Sequence, residues 1–474
     1  MPSRKPVADA SVPQGHRRSS LHGLLAAYTV SLFGTRLTMI ALPWLVLATS
    51  GSAARTGLVA FCEAVPLVIG KTLAGPLIDR VGSRPFAVFA DLVSAVVVGL
   101  VPLCYWLDAL PFGALLVLSA AIGVARGPGD VAKRTMTPEV AEQAGIPLER
   151  ASGLVGTLER LAGTAGPAAA GALIAVLSPL WAMTANALCF VVSAALIALT
   201  GPRGGARPRP AGEPDGATGG ATGGEAESER YLDRLRAGIR FLHQDRLLRS
   251  IAVMLSVTNL VDAAYGSLLI PVWAKEYGGG PAAIGALGSV FGIAAVGGSA
   301  LATAFAERLK RRPTYVIAFL IAGPPRFLVM AFHLPLWAVL LVAVGDGLAI
   351  GFVNPILNAV MLERIPRPLL GRVSALTDSV GSAGVPLGPM LAGAAVTAAG
   401  LVPVLYSCAG LYLASTVLPA LRPHWRELDE RRPTGGPNAA PNNPSDSTSA
   451  PAGRPEPVAA TTATAAETAP GTSA

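Results

Sequence analysis

Two short runs in this chain join an acid to an arginine in the same way. Asp79-Arg80 is followed by Arg84-Pro85, and 228 positions later Glu307-Arg308 is followed by Arg312-Pro313 at the same spacing. A carboxylate in such a loop accepts charge-assisted hydrogen bonds from arginines, or from the free amides that open a neighbouring helix. That chemistry makes a latch: it stabilises one arrangement of two bodies and must loosen for another. The first copy adds Gly75, which permits close helix approach, and Gly82, which permits a tight turn, whereas the second has neither. The N-terminal copy is therefore expected to control a conformational cycle, with Glu307 and Arg308 mainly anchoring their own half.

A second set of ionisable side chains stands inside apolar stretches, where a charge is costly enough to mark a functional candidate. Arg36, Glu63, Glu159, Asp262 and Arg326 lie deep in such stretches, as do Arg160 and Asp346. A carboxylate at that depth can carry a proton if it loses it to one side and regains it from the other as the conformation changes. Asp262 is the first candidate and Glu63 the second; a fixed ion pair with Arg36 or Arg326 is the competing role for each. Tyr28, Asn186, Asn259, Tyr265, Asn354 and Asn358 are candidates to line a central cavity. Aromatic faces with few fixed charges suit amphipathic ligands better than sugars. Trp44, Trp106, Trp181 and Trp337, near the ends of stretches, read as interfacial anchors.

The elements that hold these residues are membrane spans. Hydrophobic residues make up 52% of the chain and charged residues only 14%, against about 25% charged in a soluble domain. Apolar runs of roughly 20 residues, enough to cross a hydrocarbon core of about 30 Å, recur near 22–49, 56–78, 86–107, 110–128, 152–177, 180–199, 250–273, 282–305, 314–333, 335–360, 373–397 and 401–421. Arginines and lysines gather in alternate loops, among them Arg80 and Arg84, then Lys133, Arg134 and Arg150, then the segment after residue 200. The positive-inside rule then places both termini in the cytoplasm. The net charge of +8 is thus a topology signal rather than a sign of nucleic-acid binding. The expected order is a cytoplasmic tail (1–21), a six-helix bundle (22–199), a linker with an interfacial helix near its end (200–249), a second six-helix bundle (250–421) and a disordered cytoplasmic tail (422–474).

The repeat extends into the spans. Arg150-Ala151-Ser152, Gly166-Pro167 and Gly171 recur 222 positions downstream as Arg372-Val373-Ser374, Gly388-Pro389 and Gly393. Small residues such as Gly163 and Gly166 let helices approach closely, and a proline removes a backbone donor and bends its helix. Two such helices at equivalent places suit a rocking interface between halves. Nothing in the chain reads as an enzyme: no glycine-rich loop carries the lysine and hydroxyl of a nucleotide site, and the five histidines are scattered. No cofactor or metal is expected. The four cysteines lie in apolar segments without CxxC spacing and read as small hydrophobes.

The run Gly75…Asp79-Arg80…Gly82…Arg84 resembles the loop signature of the major facilitator superfamily, and Gly163-Thr164-Ala165-Gly166-Pro167…Gly171 resembles that of its antiporters. The first span, from Ser31 to Leu47, looks like that of bacterial exporters of the enterobactin-exporter and macrolide-efflux kind, with Thr35 where some of them carry an acid. The resemblance covers residues 21 to 421. It implies an all-α integral membrane protein of the cell membrane, with twelve helices in two pseudo-symmetric six-helix bundles. It also implies a monomeric secondary exporter of small amphipathic compounds, drugs or self-made metabolites, coupled to protons by alternating access. Asp79 would engage the start of the eleventh helix, around Gly371 to Ser374, and favour the outward-facing form. Arg126 is expected near the cytoplasmic end of the fourth span. Nutrient uptake by the same fold is one alternative; a non-transporting scaffold or receptor is another, which the paired loops and Gly-Pro helices disfavour.

Overall fold

The computed structural model describes residues 14–201, 239–305, 309–365 and 369–429. Glu307, Arg308, the middle of the linker and most of both tails lie outside the described residues. So does much of the expected interfacial helix; residues 239–244 are helical and lead to Asp245, whose carboxylate caps the next helix by accepting from the Leu247 and Leu248 amides.

Twelve helical spans follow in order: α1 (Gln14–Ser50), α2 (Ala53–Val81), α3 (Ser83–Trp106), α4 (Phe112–Ala144), α5 (Leu148–Val176) and α6 (Pro179–Thr200), then α7 (Arg246–Glu276), α8 (Pro281–Phe305), α9 (Arg311–Ala331), α10 (Leu336–Arg364), α11 (Leu370–Ser382 continued by Leu387–Ala399) and α12 (Leu401–Ala420). Among the described residues, eleven of these are long and apolar enough to cross a membrane. The other, α5, carries Glu149, Arg150, Glu159 and Arg160 among its small residues and packs on α1 and α8. Within each half, short connections make successive spans antiparallel. Between α2 and α3 a single residue, Gly82, reverses the chain at φ 94°, a conformation that a side chain would strain. The near end of the bundle is where α6 and α12 finish; the far end holds the α1–α2 and α7–α8 turns.

The fourth helix departs from the sequence expectation. It runs on through Pro128 and Pro138 to Ala144, so Lys133 and Arg134, expected in a loop, are helical and Arg126 lies well inside the span. The apolar run stops near residue 128, but the charges beyond it find partners within the bundle. Paired charges at membrane depth cost less than opening the backbone there.

Spans α1–α6 enclose one core around Leu42, Val98, Met183 and Phe190 and a near-end core around Phe86, Met136 and Ile197. Spans α7–α12 enclose another around Trp273, Phe327 and Tyr412. Outward-facing Val96, Val117, Leu188, Ile293 and Leu341 remain exposed, as surfaces solvated by lipid tails do. Trp106 and Trp181 pack in a tilted pair with ring centroids 5.8 Å apart, exposed at the far end with Trp337, where anchors belong. Trp44 instead packs against both principal cores.

The repeated Gly-Pro pairs sit in matching places. Gly166 lies against the Arg36 stem on α1, and Gly388 against the Leu260 carbonyl on α7, the corresponding helix of the other half. Pro167 meets Gly285 and Gly288 on α8, while Pro389 meets Gly57 on α2. Each pair therefore makes one close contact inside its half and one across the halves. One turn further on, a Cβ at Gly171 would stand 2.6 Å from the Gly285 Cα, and one at Gly393 would stand 2.6 Å from the Ala53 carbonyl oxygen. Glycine is required there because backbone meets backbone. With the Ala54 amide donating to Thr397 Oγ1 (3.2 Å) and Lys275 Nζ to the Leu47 carbonyl (2.7 Å), these contacts close the far end. The near-end segment of α11 packs on α7 and touches α10.

Candidate functional site

The N-terminal half holds a ladder of paired charges. At mid-membrane, Arg126 on α4 donates to Glu63 on α2 at 3.0 Å, both side chains largely buried. Two turns nearer the near end, Lys133 Nζ reaches Asp91 on α3 at 2.7 Å and Ser31 on α1 at 2.6 Å, while Ser193 on α6 donates to the other Asp91 oxygen. Glu159 on α5 accepts from Tyr28 (2.5 Å) and from Arg134 (2.6 Å). Arg36 stands on the glycine face of α5 beside Gly163 and Gly166, and among the described residues no carboxylate lies within ion-pair distance of it. Glu63 thus belongs to Arg126 rather than to Arg36. Asn186 is buried and donates to Thr38 at 2.6 Å.

The Lys133–Asp91 pair ties four helices together with both side chains at most 2% exposed. Removing one member leaves a buried, uncompensated charge, so Lys133→Met is expected to destabilise the protein by about 3–5 kcal/mol. Pairing it with Asp91→Leu should restore most of that loss. Thermal unfolding of the purified variants measures both effects; a single variant as stable as the parent would refute the role.

The C-terminal half contains a cavity of about 300 Å³ with three charged side chains in its wall. Arg326 on α9 binds Asp262 on α7 and, at 3.4 Å, Asp346 on α10. Its guanidinium also lies over the rings of Tyr265 (4.6 Å), Phe327 (5.0 Å) and Tyr412 (5.3 Å), a cation–π arrangement strengthened by exclusion of water. Phe291, Leu287 and Ile350 supply apolar wall. Two of the three charged groups sit at helix irregularities. Asp262 lies just before a π turn, Tyr265–Leu269, and Arg326 just after the break at Gly323-Pro324, where the Tyr412 ring fills the space of a glycine side chain. Such irregular backbone is tolerated at membrane depth where it lines a cavity.

The two carboxylates differ in access. The Asp262 side chain is 36% exposed and that of Asp346 only 6%. With both ionised beside one guanidinium the cluster carries one net negative charge, which either a proton or a monocation bound in the cavity neutralises. Of the cavity candidates read from sequence, Tyr265 is in this wall. Tyr28 is committed to Glu159, Asn259 donates to the Gly381 carbonyl (3.0 Å), and Asn354 and Asn358 are exposed on α10 outside this lining. Phe291 and Tyr412 are not legible as cavity residues in the sequence, because an aromatic in an apolar span carries no signal of the side it faces.

The loop residues are divided by the structure. Asp79 and Arg80 are exposed, Asp79 has no partner among the described residues, and Gly75 faces open space. Arg84 donates to the Ile197 and Ala198 carbonyls at the end of α6 (3.4 and 2.6 Å), and Arg312 donates to the Ala420 carbonyl at the end of α12 (2.8 Å). The repeated arginine before proline is thus a helix-end cap in both halves. Arg311, not singled out from sequence, makes a two-pronged bridge to Glu363 at 2.7 and 2.8 Å.

A multi-pass bundle of two matched halves, closed against each other at one end and holding a charged cavity between spans, is a membrane transporter of small molecules rather than a catalyst. Residues 24–266 and 251–463 match the model of the Major Facilitator Superfamily, and the chain belongs to that family. It is 32% identical over 414 residues to the multidrug efflux pump Tap of Mycobacterium tuberculosis, covering 86% of this chain and 94% of the relative. Among solved structures it resembles the nucleoside transporter NupG (TM-score 0.60, 14% identity, 85% of this chain and 98% of that one). A bacterial homologue of the human lysosomal transporter Spinster, solved inward-facing and unoccupied, gives a TM-score of 0.59 at 15% identity over 90% of this chain and 100% of that one.

Proposed function

We propose that the chain exports small amphipathic compounds, drugs or self-made metabolites, by proton antiport through alternating access. The Arg326 cluster carries this reading: a net-negative, partly open site in an aromatic and apolar cavity gives a proton and a cationic amphipath the same place to bind, so each displaces the other. Asp262 is the exchanging carboxylate because it is the accessible one; Asp346 keeps Arg326 in place. The similarity to a multidrug efflux pump supports the direction and the breadth of substrate. With the positively charged near-end loops and both termini in the cytoplasm, the far-end closure corresponds to the inward-facing state. Asp79 is then the unengaged half of a latch that closes the cytoplasmic side in the opposite state.

Inverted membrane vesicles with an acidified interior test the proposal. A lipophilic cationic dye should accumulate inside only while the pH gradient lasts, and the gradient should dissipate faster when dye is added. Accumulation that ignores the gradient would eliminate antiport. Gradient-driven entry into right-side-out vesicles instead would identify an uptake permease.

A further inference from the structure

A second cavity, of about 530 Å³, lies at the near end of the C-terminal half, where α7 begins and α12 ends. Arg246 and Arg249 line it from the first turn of α7, and Arg422 from the residues after α12. Among the described residues none of the three arginines has a carboxylate partner. The acids nearby, Asp245 and Glu427, are both held by Arg364, at 3.1 and 2.7 Å. His424 completes the wall, and its Nε2 is buried without a hydrogen-bond partner. Ser250 is fixed in the same wall by the Trp425 indole N–H at 2.9 Å. Three guanidinium groups without a carboxylate, of which Arg249 also donates to the His243 carbonyl at 3.1 Å, and an orphaned imidazole nitrogen describe a receptor for an oxyanion with several acceptor oxygens.

What lies beside the pocket selects the anion. Val253, itself in the lining, is 57% exposed, and Leu418 and Leu421 at the end of α12 are 64% and 72% exposed. Cations at the end of a span and aliphatic side chains below them match the two parts of a phospholipid. We infer that this pocket binds the phosphate headgroup of an anionic phospholipid, with an acyl chain lying over Val253 and Leu418. Arg249 and Arg422 grip the phosphate, and His424 donates the remaining hydrogen bond from Nε2. Burial, and then Arg422, holds the His424 pKa below its ordinary value, and in either protonation state the imidazole has an N–H to offer a phosphate oxygen. A lipid held there braces the start of α7, the helix that carries Asp262.

Native mass spectrometry of the full-length protein released from nanodiscs of mixed dioleoyl phosphatidylglycerol and phosphatidylcholine tests the site. The parent protein should retain phosphatidylglycerol over phosphatidylcholine by about tenfold, and the double variant Arg249→Gln, Arg422→Gln should retain both equally. The far-end control Arg55→Gln should keep the parent preference. Unfolding temperature in pure phosphatidylcholine, expected to be equal for all three proteins, separates a lost site from a damaged fold. A preference that survives the double variant, an equal loss in Arg55→Gln, or saturable binding of inorganic phosphate with no lipid preference would each overturn the inference.

Discussion

Asp262→Asn is expected to reduce proton-driven dye transport to background while the protein still accumulates, folded, in the membrane. The substitution preserves shape and removes only the charge that the cavity exposes. Arg326 keeps Asp346 at 3.4 Å and its position over Tyr265, Phe327 and Tyr412, so one cation still faces one anion and the fold is not asked to bury an unpaired charge. What disappears is the spare negative charge for which proton and substrate compete. The contrasting change is Arg326→Gln. It leaves Asp262 and Asp346 facing each other without their cation, and its cost, about 3–5 kcal/mol for a broken buried pair, should appear as lost folded protein. Transport into acid-loaded inverted vesicles, normalised to folded protein, separates the two cases. Undiminished gradient-driven flux in Asp262→Asn would remove that carboxylate from the coupling step.

The parts of this machine that were legible in the sequence are those written as contrast. Asp262 and Arg326 stand out as charges in apolar runs, and Gly166-Pro167 and Gly388-Pro389 stand out because the chain states them twice. The partners were not legible. Glu63 meets Arg126, and Asp91 meets Lys133, because α2 and α3 both pack on α4, a matter of helix order and rotation that no single helix records. The same gap explains the shortened reading of α4. Its second half looks like a basic loop until the acids of neighbouring helices are set beside it. For Arg84 the register with Arg312 is visible in the sequence but the acceptors are not: in both halves that arginine closes the end of the sixth helix of its bundle.

The two ends of the bundle should respond to mutation in opposite senses. Gly171→Val places a branched side chain where backbone already meets Gly285 of α8, 2.6 Å from a Cβ, and it does so only while the far end is closed. Overpacking of this kind costs about 1–3 kcal/mol, and borne by one state alone it moves the ratio of states by about 5- to 150-fold. The far end should therefore open, with the near end closing in compensation. Asp79→Asn acts on the other state. Asp79 has no partner among the described residues, so its loss costs this arrangement nothing, while the opposite arrangement forfeits the charge-assisted bonds that the latch proposed for Asp79 would make to the start of α11. That variant should hold the protein with its near end open. Spin labels at exposed positions report both shifts: Leu177 and Tyr277 across the far end, Leu148 and Leu309 across the near end, in a background with the four native cysteines replaced. Longer far-end distances in Gly171→Val, and loss of the short near-end population in Asp79→Asn, are the expected pair. If both variants keep the parent distribution, the Gly-Pro interface is static packing and Asp79 is a solvated loop charge. If they shift in the same direction, the two devices do not oppose each other and the rocking scheme fails.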